Sequence, residues 1–412
     1  MAGAADGQGG DGRGTNQLAM RLANERLILG LIRRRPGIAK AEIARATGLT
    51  PQATTIIVNR LEADGLLARL DPTRGKVGQP AIPYALAPDG AFAIGLVVGR
   101  RGCDVVLTDF VAGLRRHEHL AYAYPEPEAI VGFAAEHVGH FAAGLPGGAV
   151  EARRRLTGVG VAMPFQLWDW ETALKSPPGA LAVWRDTDLG AALERRLGLP
   201  VTVGNDATAA CGAELLFGQA GRFTDFLYIY IGTFVGGGLV LEGRVVNGRT
   251  GNAAAIGSLP MRDGPGGRLG QLIDWASLQV LEDRLVAAGR DPAGVLGDDW
   301  AAAEPQLTAW IDALAPKLAL TAVAASAMVE IEAVVIDGAL PAPIRDRIVA
   351  AVAAALEDVD RQGVTPFETV SGTLGGRAPV LGAVALTLTG YAREPAIETV
   401  DWHTSDALRT LE

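Results

Sequence analysis

Val203-Gly204-Asn205-Asp206-Ala207-Thr208-Ala209-Ala210 joins a short apolar strand to an alanine-rich helix, with an Asn-Asp pair at the junction. In open α/β sheets ligands bind outside the carboxyl ends of the strands, so a carboxylate at this junction can face a pocket. Asp206 is equally suited to cap the helix, and Asn205 to make the turn. The stretch leaves both readings open, and its surroundings decide between them. From Pro88 onward strands and helices alternate. Strands are expected at Phe92 to Val98, Cys103 to Thr108, Leu114 to Ala121, Leu156 to Val161, Val201 to Val203 and Phe226 to Ile231. Helices are expected at Glu126 to Ala143, Leu189 to Leu197 and Ala207 to Leu216. A glycine-rich segment, Gly232 to Gly238, leads into a hairpin, and a second block of helices and short strands follows as far as Gly372. Strand pairs, βα crossovers and a second similar block predict a two-lobed α/β body.

Upstream of Pro88 the pattern is different. Gln17 to Arg35 reads as a helix ended by Pro36-Gly37, and Ile38 to Thr47 as a short second helix followed by a turn at Gly48. Thr50 is placed to cap a third helix, with Pro51 at its first position, where the missing N–H costs nothing. Thr54, Ile57, Val58 and Leu61 are spaced i, i+3, i+4, i+7 and form its buried stripe. Gln52, Thr55, Asn59 and Arg60 lie on the other side. Two short strands, Leu66 to Leu70 and Pro83 to Leu86, flank a basic, glycine-rich loop with Arg74, Lys76 and Gln79. Together these elements predict a winged helix-turn-helix, a fold that binds DNA and also serves as a protein-interaction module. Gln52, Thr55 and Asn59 are candidates for base edges. Arg60, Arg74, Lys76 and Gln79 are candidates for phosphate or minor-groove contacts.

Composition fits this division. At 412 residues the chain exceeds one ordinary core, and 49% apolar with 20% charged residues describes a globular protein. The net charge of -9 hides an asymmetry: residues 1–88 carry +5 and the remainder -14. A basic head on an acidic body suits a polyanion partner for the head, here double-stranded DNA. Cys103 and Cys211 fit no ligand spacing, which implies a reducing, cytoplasmic setting. Residues 1–15 hold no apolar core and read as an unstructured tail, not a signal peptide. No uninterrupted apolar run reaches membrane-spanning length, and Leu318 to Val329 reads as a buried helix.

The order winged helix, Asn205-Asp206-Ala207, Ile231-Gly232-Thr233-Phe234-Val235-Gly236-Gly237-Gly238 and Gly251-Asn252-Ala253-Ala254-Ala255-Ile256-Gly257-Ser258 resembles the ROK family of repressors, open reading frames and sugar kinases. The resemblance covers the chain from about Asn16 onward. It implies an N-terminal winged helix-turn-helix at 16–87 and a two-lobed, actin-like (ribonuclease-H-like) ATPase-type body at 88–412. Lobe one would span about 88–204 plus a C-terminal helix, and lobe two about 205–377. In the kinases of the family the aspartate matching Asp206 is the general base for the sugar hydroxyl. Phosphoryl transfer depends mainly on holding the phosphates, so the glycine turns matter as much as that base.

Those turns depart from the family pattern. Val97-Val98-Gly99-Arg100-Arg101 stands where kinases of the family have Asp-x-Gly-Gly-Thr, and Gly232-Thr233-Phe234 stands for Gly-Thr-Gly. Phe234 is expected to crowd the phosphate position, and Asp337-Gly338 replaces a Gly-Gly pair. Gly232, Thr233, Gly236 and Gly237 therefore read as a vestigial phosphate loop, or Gly236 to Gly238 as a tight hairpin. Ala255 and Ser258 replace the Glu and His of the zinc-bearing members. No cofactor and no metal are expected: His137 and His140, i and i+3 on a helix, have no cysteine nearby and read as surface residues, and His117 and His119, which flank Glu118 on one strand face, are not expected to hold a metal. What is left for a carbohydrate effector is Asn205, Asp206 and Ser258, with Phe165, Trp168 and Trp170 as stacking platforms or as simple lobe packing. The expected function is a sugar-responsive DNA-binding regulator, a repressor acting as a homodimer or homotetramer and not an enzyme. An ATP-dependent sugar kinase with a DNA-binding appendage is the alternative.

Overall fold

The computed structural model describes residues 12–72, 82–171, 176–264 and 266–388. It divides into an N-terminal unit, which runs to Phe92 and takes in the turn Asp109–Gly113, and a second unit holding Ala93–Thr108 and Leu114–Thr387.

In the N-terminal unit, α1 (Gly12–Arg34) begins five residues before the expected Gln17 and so covers part of the segment read as a tail. Ile38 and Ala39, expected to open the second helix, instead form the strand β1 (Ile38–Ala39), because Pro36-Gly37 delivers them extended against Tyr84 and Pro83. The second helix, α2 (Lys40–Thr47), ends at Gly48, whose φ of 69° is left-handed and favours glycine. Then α3 (Pro51–Ala63) starts as its sequence dictates: Thr50 Oγ1 accepts from Ala53 N at 3.2 Å. Thr54, Ile57, Val58 and Leu61 are its buried residues. The strands β2 (Leu67–Arg69) and β3 (Pro83–Leu86) complete an antiparallel sheet in the order β1-β3-β2. Arg33 closes the unit by donating to Phe110 O at 2.7 Å with its guanidinium 5.0 Å from the Phe110 ring centroid. Burial pulls Arg33 down to about 10, an effect that Asp109 opposes.

The second unit contains two 5-stranded sheets. In the first, β4 (Phe92–Val98), β5 (Gly102–Asp109), β6 (Leu114–Ala121), β7 (Leu156–Met163) and β8 (Val201–Asn205) lie in the order β6-β5-β4-β7-β8. Between its strands run α4 (Pro127–Ala143) and α5 (Leu189–Leu197). The edge strand β6 is exposed through most of its length; its His117 and His119 both bond to Asp104 Oδ1, at 2.8 and 2.9 Å. The helix α6 (Asp206–Phe217) then leads to the second sheet. Its strands β9 (Phe226–Ile231), β10 (Val235–Leu241), β11 (Arg244–Val246), β12 (Ala333–Gly338) and β13 (Glu368–Ser371) lie in the order β11-β10-β9-β12-β13.

The long apolar helix α7 (Gln306–Val329) and α8 (Ala342–Glu357) pack on this second sheet. α7 has the length and composition of a membrane span, yet Leu307, Trp310, Leu314 and Leu318 all sit in the core beside Ile229, Val334 and Ile348. Trp310 is fully buried and satisfies its indole by donating to Trp275 O at 2.9 Å. The described chain closes with α9 (Ala378–Leu388).

Candidate functional site

The junction between β8 and α6 resolves the roles of its two polar residues. Asn205 is the cap: its Oδ1 accepts from Thr208 N at 3.0 Å and from Thr208 Oγ1 at 3.3 Å. Asp206, expected to cap, is instead the first helical residue, and its Oδ1 takes only the adjacent Ala207 N, at 2.8 Å. The physical reason is reach. A short side chain satisfies an amide two or three residues on when its own backbone is still extended, as it is at Asn205 and no longer at Asp206. The carboxylate of Asp206, relieved of capping and favoured by the helix N-terminus, faces a cleft.

That cleft encloses about 630 Å³, within the range of small-molecule sites. It brings together Asn205, Asp206, Ser258, Phe165, Gly232, Thr233, Gly236 and Gly237. Trp168 is not part of it. Residues 167–170 form a 3₁₀ turn, on which side chains two apart diverge, so Trp170 lines the cleft while Trp168 lies under Arg185, 5.8 Å from its guanidinium carbon. Gln166 and Ala254, both lining the cleft, hold left-handed φ values of 52° and 54°. Such backbone is uncommon outside glycine and collects at binding sites.

The largest departure from expectation is Arg100. Its sequence position suggested only the loss of a phosphate loop. In the structure its guanidinium lies 4.4 Å from the Trp170 ring centroid and 4.2 Å from that of Phe234, and the two rings are 4.6 Å apart. Phe234 thus packs against a cation. Desolvation lowers Arg100 to about 10, and attraction from Asp206 opposes that shift. The buried Nε of Arg100 has no hydrogen-bond acceptor among the described residues. The sequence signal was present: two arginines in place of Gly-Thr add charge as well as removing flexibility.

Gly236, Gly237 and Gly238 form neither a hairpin tip nor a loop. They lie within β10, paired with Tyr230, Ile229 and Tyr228 of β9. A Cβ on Gly236 would meet Ala207 and one on Gly238 would meet Cys211, so two of the three let α6 lie directly on the strand. Asp337 points inward and is fully buried. Its Oδ1 accepts from Gly338 N at 2.9 Å and Gly375 N at 3.0 Å, its Oδ2 accepts from the Tyr228 hydroxyl at 3.2 Å, and Arg345 lies 3.4 Å away. Near it, the buried Glu214 accepts from Thr373 N at 3.1 Å and Thr373 Oγ1 at 3.0 Å. Burial is the first cause that raises both carboxyls above their ordinary range.

On α3, Gln52, Thr55, Asn59 and Arg60 are all exposed. Asn59 Oδ1 accepts from Lys40 Nζ at 2.6 Å, and Thr55 Oγ1 bonds back to Pro51 O at 2.8 Å. Arg60 is shared between Glu25 and Asp64, each at 3.7 Å. Two residues on this face went unread: Lys40, and Ile56 at 62% exposure. The spacing 52, 55, 56, 59 is itself i, i+3, i+4, i+7, so periodicity could have placed Ile56 among the polar residues. Arg74, Lys76 and Gln79 lie outside the described residues.

The ROK family profile matches residues 136–389. The chain belongs to the ROK family. A second profile, that of the MarR family, matches residues 22–76 of this ROK protein and agrees with its winged helix-turn-helix. An uncharacterized protein of Sinorhizobium fredii is 28% identical over 363 residues, 87% of this chain and 89% of that one. The xylose repressor of Bacillus spizizenii is 23% identical over 244 residues, 59% of this chain and 62% of that protein's length. Among solved structures, a ROK family transcriptional regulator, described as a homologue of the E. coli MLC protein, matches with a TM-score of 0.64 at 20% identity, covering 91% of this chain and 98% of that one. At that identity the likeness shows the fold: α/β, with an N-terminal helix-turn-helix and two mixed sheets forming the actin-like body.

Proposed function

We propose that this ROK protein is a transcriptional repressor that binds double-stranded operator DNA through α3 and the wing and is released by a small carbohydrate bound in the cleft. The observation that carries the proposal is the conjunction, in one chain, of an exposed polar face on a capped third helix with an Asn205-Asp206 junction opening into a polar and aromatic cleft. Gln52, Thr55 and Asn59 read base edges and Ile56 meets a thymine methyl. Lys40, Arg60, Arg74, Lys76 and Gln79 hold the backbone. In the cleft Asp206 accepts a sugar hydroxyl, Asn205 and Ser258 add polar partners, and Phe165 with Trp170 offers ring faces. Binding favours a conformer of lower operator affinity. Two half-sites of an operator call for a homodimer or homotetramer acting in the cytoplasm.

The stacked Arg100, in the loop that resembles the first phosphate loop of the kinases, supports a body that no longer turns over ATP. One observation favours the second reading, a sugar kinase with a DNA-binding appendage: Asp206, which resembles the general base of the family's kinases, lines the cleft. Sugar-dependent ADP formation that disappears in Asp206→Asn would establish that reading. The proposal itself is tested by recovering the DNA bound by the protein in cells and measuring its affinity for the recovered sites across a sugar series. A discrete site whose affinity falls with one sugar class is the expected result. Uniform, sequence-independent binding that no sugar alters would overturn it.

A further inference from the structure

Among the described residues lining the cleft, three carry formal charge: Arg100, Asp169 and Asp206. Asp169 is exposed and lies 3.8 Å from Arg185. Asp206 keeps one oxygen on Ala207 N. Arg100 is therefore the sole positive group of this set. Its surroundings are built: the rings of Trp170 at 4.4 Å and Phe234 at 4.2 Å, themselves 4.6 Å apart, pack together against one side of the guanidinium. Rings stabilise the faces of a guanidinium and offer nothing to its N–H edge. A buried N–H without an acceptor is costly, and Nε of Arg100 is buried with no acceptor among the described residues. Asp206 attracts this charge, yet no ion pair joins the two.

A cation packed against rings on one side keeps its N–H edge for a ligand that enters the cleft. The ligand group that fits is a planar or multi-oxygen anion, which accepts two parallel N–H bonds. Asp206, by contrast, accepts hydroxyl protons and repels anions. We infer that the occupant of the cleft is an acidic sugar, a monosaccharide whose carboxylate or phosphate is held edge-on by Arg100 while a hydroxyl is held by Asp206. This rests on the reading of the cleft as a carbohydrate site and narrows it to one chemical class. Trp170 and Phe234 become positioning residues, which hold Arg100 in the plane where the anion is met.

The test is calorimetric binding to the full chain at low salt, using matched neutral, carboxylate and phosphate forms of glucose, galactose and xylose, with inorganic phosphate as a control. In the wild type one acidic form is expected to bind at least about tenfold more tightly than its neutral parent, the scale of one charge-assisted hydrogen bond. Whether that form is the carboxylate or the phosphate names the anion. In Arg100→Gln the acidic-to-neutral ratio is expected to fall to about one, while Arg100→Lys, which keeps the charge without the fork, retains part of it. Thermal melting of both variants checks that they fold, and the wild-type ratio tests the inference without any variant. Neutral sugars binding as tightly as their acidic forms would overturn the acidic assignment and leave the carbohydrate reading standing. A ratio that survives in Arg100→Gln would overturn the role of Arg100. Binding of no sugar, or of inorganic phosphate as tightly as of any sugar, would overturn the carbohydrate reading together with this one.

Discussion

The outer face of α3 and the cleft beside α6 are both polar, and they are made in opposite ways. The face of α3 comes from one continuous stretch of 13 residues, where helical period alone separates the buried stripe from the exposed row. The cleft is assembled from Arg100, Trp170, Asp206 and Phe234, which the chain delivers from four separate segments. On α3 the polar groups face solvent and can exchange partners at little cost. In the cleft a guanidinium packs beside two rings, and its buried Nε has no acceptor among the described residues. The contrast teaches that a surface awaiting a large polyanion can stay solvated until it binds, whereas a site for a small ligand must be desolvated beforehand and so must hold its charge by packing.

The first way to break this contrast is to attack the packed side. Asp337→Ala leaves Arg345 buried without its carboxylate and is expected to cost about 3–5 kcal/mol in chemical denaturation. The same measurement on Gln52→Ala should show a change within about 0.5 kcal/mol. A small loss in Asp337→Ala would mean that the region behind the cleft is not the tightly packed network described. Second, Gln52→Ala and Asn59→Ala are each expected to weaken binding to the operator by about 1–3 kcal/mol and to relax its sequence preference. Equal losses on operator and random DNA would reassign these residues to backbone contacts.

Third, Glu214 carries a raised pKa because it is buried. A folded carboxyl that holds its proton more tightly than the unfolded one makes stability fall as pH rises from the ordinary glutamate range through the raised value. Glu214→Gln should flatten that fall, though not abolish it, since Asp337 is raised as well. The substitution also removes one acceptor oxygen facing Thr373, at a cost of roughly 1–2 kcal/mol at low pH. An unchanged pH profile would place the titrating group elsewhere. The smallest expected effect separates the two tryptophans. Trp170→Ala should weaken ligand binding by about 0.5–2 kcal/mol through loss of the ring under Arg100. Trp168→Ala should change it by less than about 0.5 kcal/mol, being outside the cleft.

How far the sequence could be read follows from the same contrast. Thr50, Pro51 and the stripe Thr54, Ile57, Val58, Leu61 act through neighbours a few residues away, and the helix they predict is the helix observed. The alternation of strands and helices also yields the α/β body, because periodicity is local. The cap at Asn205 rather than Asp206 turns on which residue is the last extended one, a boundary that local propensity leaves uncertain by a residue or two. The partner of Arg100 could not be read at all. Its role exists only once Trp170 and Phe234 meet across the cleft, and neither is near it in sequence. The glycines of β10 were misread for the same reason, since what they accommodate is the helix α6 lying over them.

The central claim is that Asp206 couples a carbohydrate in the cleft to operator binding. Fluorescence anisotropy of a labelled operator, titrated with protein in the presence and absence of the tightest-binding sugar, measures that coupling directly. For the wild type the ratio of the two affinities should be about tenfold or more, in the ordinary range of allosteric coupling. In Asp206→Ala the ratio should collapse to about one. An undiminished ratio in that variant would contradict the account and leave Asp206 as no more than the first residue of a helix.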